Sequence, residues 1–323
     1  MNGMHTGFKR RARLLGEALR PPRSVLPERG KAERVAAPHA KAEAPGEPTA
    51  TAAKPVPAKP TAAKAAKRPP KETVEFEFGV PIVARHVTSP VFVLSPIRSG
   101  STLLRMLLNS HSRIRAPHEL HLRTLEVQLL EGFSTTSMRE LGLDRLELEH
   151  VLWDRLLHLE MGRSGKDVIV DKTPGNVWVW ERLRHAWPQA RFIFLVRHPE
   201  GIIASLADRK SNKSAREQLE ANVLKYLEPL EKARTTLEGH FMRYEDLTAD
   251  PEAAMQKLCM YLDVDWEPGM LDYGEHDHGK IAPNLGDRST NIKTGRIQAP
   301  RELDSTQELP PELARYAELW GYA

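Results

Sequence analysis

The sequence predicts an α/β protein: a parallel β-sheet with helices on both faces, preceded by a disordered N-terminal tail. Three observations carry this reading. Short unbroken runs of Val, Ile and Phe recur along the body of the chain. Each leads into a loop and then into a helical pattern. The first 74 residues have a different composition altogether. Strand–loop–helix repetition builds a parallel sheet with its crossover helices packed on both sides. Ligands of such sheets bind beyond the carboxyl ends of the strands.

The strands read as "VFVLS" (91–95), "VIVDK" (168–172) and "RFIFLV" (191–196), with a weaker one inside "GHFMRYEDL" (239–247). Helical patterns fall at about 102–110, 120–131, 144–162, 176–186, 200–208, 215–238 and 251–262. Residues 75–323 form the folded domain on this reading. Residues 40–71 are mostly Ala, Pro, Lys and Thr and bury too little apolar surface to offset their ordering entropy. Residues 1–74 are therefore a disordered, basic tail. Within it "GFKRRARLLGEALR" has the composition of a basic amphipathic helix, and residues 8–20 make a weak contact site for an anionic surface or a partner.

The net charge of +4 conceals two halves. The tail holds 16 Lys/Arg against 6 Asp/Glu, whereas the rest holds 31 against 37. The body is thus mildly acidic and offers no broad basic face for nucleic acid. No apolar run approaches the ~20 residues that span a bilayer. The single cysteine, Cys259, forms no internal disulfide or thiolate cluster. A reducing compartment, the cytoplasm, is the expectation.

The first strand runs into "SPIRSGST" (95–102), which matches G-x-x-x-x-G-K-[ST] with Ser95 and Gly100 at the glycine positions, Ser101 at the lysine and Thr102 at the last hydroxyl. This makes the sheet P-loop-like. Gly100 lets the backbone turn tightly, and the N–H groups from Ser99 to Leu103 point at an anion over a helix N-terminus. Arg98 supplies a planar cation. The lysine that reaches β/γ-phosphates is missing, and the nearest candidate for a metal-binding strand-end Asp is Asp171. Kinase chemistry leans on Mg²⁺. A sulfuryl group, with about one charge where a terminal phosphoryl carries nearly two, has no such need.

"SPIRSGSTLLRMLLNSH" resembles the 5′-phosphosulfate loop of sulfotransferases that use 3′-phosphoadenosine 5′-phosphosulfate (PAPS). Its R-S-G-[ST]-T-L-L form is similar to the tyrosylprotein sulfotransferase branch and its bacterial relatives. "FLVRHPEGIIASLADRK" (194–210) is similar to the family's 3′-phosphate segment: Arg197 ends a strand, and Ser205 and Arg209 share one face of a helix begun by Pro199. The resemblance spans about Pro90 to Ile297.

The resemblance also implies a reacting centre. In "RAPHELHLRTL" (115–125) Glu119 is the general base of the tyrosylprotein branch, flanked by His118 and His121, either of which is an alternative base. In "VDKTP" Lys172 stabilises the transition state. Tyr244 in "FMRYEDLTADP" contacts the nucleotide. In "GDRSTNIKTGRI" Ser289 holds the sulfuryl group, and Lys293, or equally Arg296, reaches the 3′ end. PAPS is the co-substrate, PAP (adenosine 3′,5′-bisphosphate) its product, and no metal is required. The acceptor is a hydroxyl on a protein tyrosine, a carbohydrate, a lipid or a small molecule. A P-loop kinase and a non-catalytic nucleotide-binding protein are the competing functions.

Overall fold

The computed structural model describes residues 81–130, 132–208, 214–279, 290–299, 303 and 308–322. The tail (1–74), with its contact site at 8–20, lies outside the described residues, as do Arg209 and Ser289.

Five strands pair in parallel: β1 (Val91–Leu94), β2 (Ile114–Arg115), β3 (Val168–Lys172), β4 (Arg191–Val196) and β5 (His240–Arg243). Their order in the sheet is β2-β3-β1-β4-β5. From the centre the chain goes to one edge, returns to β3, then crosses to β4 on the other side of β1. The direction of winding thus reverses around β1, where open α/β sheets open a crevice for ligands. The register sets Val93 opposite Lys172 and Ile193, so β1 and β3 end within one residue of each other, and β4 runs on two residues past β1.

Strands β1, β3 and β4 are buried on both faces, hence their unbroken apolar runs. On one side Phe92, Leu94, Phe192 and Phe194 pack against Trp153, Trp187 and Leu227. On the other Val91, Val93, Ile193 and Leu195 pack against Leu104, Leu107, Leu258 and Leu262. Helices α1 (Ser101–Ser110), α3 (Arg145–Ser164), α6 (Arg216–Thr236) and α8 (Pro251–Leu262) supply those partners except Trp187, which lies in the loop before β4. Capping fixes their starts: Asp144 accepts a hydrogen bond from the Glu147 N–H at 2.7 Å and Asp250 from the Ala253 N–H at 3.0 Å. Helix α5 (Pro199–Ala207) starts at a proline that needs no N–H partner, and the His198 ring caps the Glu200 N–H at 3.2 Å.

Two helical expectations fail. Of residues 120–131, the described ones (120–130) hold only a 3-10 turn at Leu122–Thr124, because the backbone there is spent on side chains of β3 and its loop: Leu120 N–H donates to Asp171 and His121 N–H to Thr173. Residues 176–186 divide into a 3-10 turn, Pro174–Trp178, and α4 (Trp180–Ala186). Edge strand β2, the exposed helix α2 (Phe133–Glu140) and the C-terminal helix α10 (Pro311–Leu319) are additional elements. No helix among the described residues is long and apolar enough to cross a membrane.

Candidate active site

The loop from β1 to α1 has two residues in the left-handed region, Arg98 at φ 62° and Gly100 at φ 82°. Gly100 is the residue before α1, and its C=O accepts from Leu104 N–H at 3.1 Å, which starts the helix. Ser99 turns its hydroxyl inward onto Pro96 C=O (2.8 Å), leaving its backbone N–H as the group on offer. Ser101 and Thr102 are buried in the first turn of α1. The Ser95 hydroxyl is buried and makes no hydrogen bond among the described residues.

The second loop lies against the first. Arg98 Nε donates to Ser205 Oγ on α5 at 3.0 Å, and an Arg197 N–H donates to Arg98 C=O at 2.9 Å. Tyr244, which opens the short helix α7 (Tyr244–Ala249) at the end of β5, covers Gly100: a Cβ there would strike its ring. The Arg197 guanidinium stacks over the same ring at 4.6 Å. Arg197 Nε is buried and has no hydrogen-bond partner among the described residues. Burial pushes the Arg197 guanidinium below its ordinary pKa. An anion beside it restores what desolvation removes. Arg98, Gly100, Arg197, Ser205 and Tyr244, drawn from the ends of three strands, thus form one cluster.

Glu119 and Lys172 meet at the end of β3. Lys172 Nζ donates to Glu119 Oε1 at 2.5 Å. The lysine side chain is 1% exposed and the glutamate 11%. Burial lowers the Lys172 pKa, and the Glu119 carboxylate offsets part of that shift. The other carboxylate oxygen, Oε2, lies 3.3 Å from His121 Nε2, on the open side of the pair. His121 is itself in the left-handed region at φ 50°, which turns its ring back toward Glu119. His118 Nε2 lies 3.9 Å from where a Gly279 side chain would begin.

Asp171 does not face this pair. Its carboxylate accepts from Thr173 Oγ1 (2.9 Å), Asn176 Nδ2 (3.0 Å) and Leu120 N–H (3.5 Å). It is a buried tie that brings residues 118–124 alongside Lys172, and burial raises its pKa.

Lys293 and Arg296 lie in the turn around helix α9 (Thr290–Lys293). The Tyr273 hydroxyl donates to Ile292 and Arg296 C=O and holds this turn against the Tyr273–Glu275 turn. Together with Met106 these segments line a cavity of about 610 Å³.

Two groups escaped the sequence reading. Arg105, one turn into α1, is 2% exposed, donates to Ala116 C=O at 3.1 Å and is pushed down to about 10, chiefly by burial. Its signal was a charge inside an otherwise apolar helix stripe. Glu245 accepts from the His198 N–H at 3.2 Å and from the Tyr322 hydroxyl at 2.5 Å, which fastens the second loop to the C-terminal segment. No local pattern marks that contact, because its partners are 77 residues apart.

Residues 90–268, more than half of the chain, match the Sulfotransferase family. The nodulation protein NoeE of Sinorhizobium fredii is 34% identical over 130 residues, which cover 36% of this chain and 30% of NoeE. Protein-tyrosine sulfotransferase 1 of Danio rerio is 26% identical over 233 residues, 65% of this chain and 64% of the relative. The chain therefore spans less than two thirds of the length of these relatives. Among solved structures, the sulfotransferase domain of the Synechococcus PCC 7002 olefin synthase superposes with a TM-score of 0.56 at 22% identity, over 77% of this chain and 99% of that domain.

Proposed function

Because the chain belongs to the sulfotransferase family, we propose that it moves a sulfuryl group from PAPS to an acceptor hydroxyl. The observation that carries this reading is the pairing of Glu119 with Lys172 at a strand end, beside a glycine turn that is covered by Tyr244 and Arg197. A base and a cation in contact at the mouth of an anion-binding loop are the parts an in-line transfer requires.

The residues present fit the donor. The buried Arg197 Nε and Ser95 Oγ lack partners among the described residues, and Gly100 lets the Tyr244 ring close over the loop where any side chain would collide with it. Arg98, the N–H groups of Ser99 to Thr102 and the start of α1 would hold the 5′-phosphosulfate. Arg197 and Ser205, with Arg209 beyond the described residues, would hold the 3′-phosphate, and Tyr244 would lie against the nucleotide. Ser289 belongs beside the sulfuryl group. Lys293 and Arg296 are kept as candidates for the 3′ end on the strength of the resemblance alone. When bound, PAPS supplies the sulfuryl group and a phosphate leaving group.

Glu119 acts through Oε2, the oxygen that Lys172 leaves open, and takes the proton of the acceptor hydroxyl. His121 lines the entry to that oxygen. Lys172 then faces negative charge growing at the leaving phosphate, in a setting that water does not screen. Much of the rate comes from holding two partners in line. The buried Cys259 and the acidic body suit a cytoplasmic enzyme.

The test is a thermal-shift comparison of PAP with ATP plus Mg²⁺. Stabilisation follows affinity and ligand concentration. PAP stabilises the wild type and fails to stabilise Arg197→Ala. A preference for ATP with Mg²⁺ overturns the reading in favour of a kinase.

A further inference from the structure

Resting on the sulfuryl-transfer reading, we propose that Arg123, Trp178 and Tyr226 form the acceptor wall of the site, and that the acceptor is a hydroxy acid whose carboxylate is held by Arg123. Arg123 lies in the 3-10 turn that follows His121, and Trp178 ends the 3-10 turn that begins two residues after Lys172. Both turns therefore extend from the reacting pair, and the Asp171 and Thr173 side chains bind them together.

The three side chains form a fixed stack. The Arg123 guanidinium lies over the Trp178 ring at 4.9 Å. Trp178 Nε1 donates to Lys225 C=O at 3.0 Å, which sets the indole, and the Tyr226 ring packs against it at 4.5 Å and 44°. Trp178 is 40% exposed, whereas Trp153 and Trp187 are fully buried. An indole this open, beside the mouth of a buried ion pair, has no part in the core.

Among the described residues the Arg123 guanidinium makes no hydrogen bond or ion pair, and the Tyr226 hydroxyl makes no hydrogen bond. Burial raises the pKa of that hydroxyl, and the Arg123 and Glu119 charges act on it in opposite senses. The Glu119 charge is already met by Lys172 at 2.5 Å, which leaves the Arg123 charge uncommitted. A guanidinium lying on an indole keeps its N–H edge turned outward in a set direction. That edge offers two parallel hydrogen bonds, the arrangement a carboxylate takes up. A neutral acceptor would leave the charge unused.

The experiment is an equilibrium titration, followed by tryptophan emission, with hydroxyphenyl acids bearing no, one or two methylenes before the carboxylate, each against its neutral amide. It is run with and without saturating PAP. At least one acid binds roughly tenfold more tightly than its amide, the effect of one charge-assisted pair. Arg123→Gln brings the two within about twofold of each other, and Arg123→Lys keeps part of the preference. The proposal is overturned if no acid is preferred, or if the preference survives in Arg123→Gln. Stabilisation by PAP is unchanged in Arg123→Gln, and its loss would assign Arg123 to the donor side and overturn the proposal as well. A wild type that ignores PAP sinks the sulfuryl-transfer reading, while the acid preference still reports on Arg123 alone.

Discussion

Tyr244 lies so close over Gly100 that a methyl group at the glycine would collide with its ring. The same glycine holds φ at 82°, where an L side chain is strained. Gly100→Ala therefore meets two obstacles at once: about 1–2 kcal/mol of backbone strain and displacement of the tyrosine from the loop. The core beneath is untouched, so the variant folds. It loses thermal stabilisation by PAP, and its KM for PAPS rises at least roughly tenfold, the factor that 1.4 kcal/mol represents. Removing the ring in the double variant Gly100→Ala/Tyr244→Ala relieves only the collision, and PAP binding stays weak in a thermal-shift series.

How much of this was legible in the sequence follows from the range of the interactions. β1, β3 and β4 are buried on both faces, so their apolar runs announce them locally. The Gly100 turn was legible because a left-handed turn before a helix demands a particular residue type. The failures are tertiary. Residues 120–131 look helical, yet Asp171 and Thr173 capture the N–H groups of Leu120 and His121 from 51 and 52 residues away. Strand β2 is two residues long, too short for a period to show. Tyr322 on Glu245 and Arg123 on Trp178 are contacts between distant segments that carry no spacing rule. Arg105 was visible as a misplaced charge, but its carbonyl partner was not.

Arg197 supports the donor site in two ways, by stacking on Tyr244 and by its N–H bond to Arg98 C=O. Loss of a hydrogen bond to a charged group costs about 1.5–3 kcal/mol, or roughly 10–100-fold in affinity. Arg197→Ala raises the Kd for PAP by that factor in calorimetric titration. Arg197→Lys recovers less than half of the lost free energy, because an ammonium cannot hold both the planar stack and the carbonyl. Equal binding by wild type and Arg197→Ala would remove Arg197 from the donor site.

Glu119 and Lys172 bear on stability as well as on rate, since both are largely buried. Removing one member of a buried pair leaves the other charge uncompensated, at a cost of about 3–5 kcal/mol. Lys172→Met and Glu119→Gln each lower the urea midpoint on this account, the glutamine less because it still accepts from the ammonium. The double variant is more stable than Lys172→Met alone. Activity behaves differently: Glu119→Gln loses roughly 10²–10⁴ in kcat, the usual worth of a general base, while still binding PAP. The double variant regains none of it. A double variant no more stable than the weaker single one would show that the pair is not coupled.

His150 gives the fold a pH dependence far from the site. It is buried on α3, its Nε2 accepts from Arg182 Nε at 2.9 Å, and its Nδ1 lies 3.4 Å from Glu147 Oε2. A second ring proton would point at the arginine, which Glu149 holds in place at 2.6 Å. Burial first, then Arg182, pushes the His150 pKa down to about 3. Between that value and the ordinary 6.5 the unfolded chain binds a proton that the folded chain refuses. Stability therefore rises with pH across this window and is lost as pH falls below about 6.5, with a slope approaching about 1.4 kcal/mol per pH unit. His198, His240 and His278 are also lowered by burial and act in the same sense, so the test is a difference. Glu147, whose pKa is lowered, loses its stabilising effect only at more acid pH. Urea midpoints measured from pH 7.5 to pH 5 fall less steeply in His150→Gln than in the wild type, because a glutamine oxygen accepts from Arg182 without titrating. Identical slopes in the two proteins would mean that Arg182 moves aside and His150 takes up its proton at the ordinary pH.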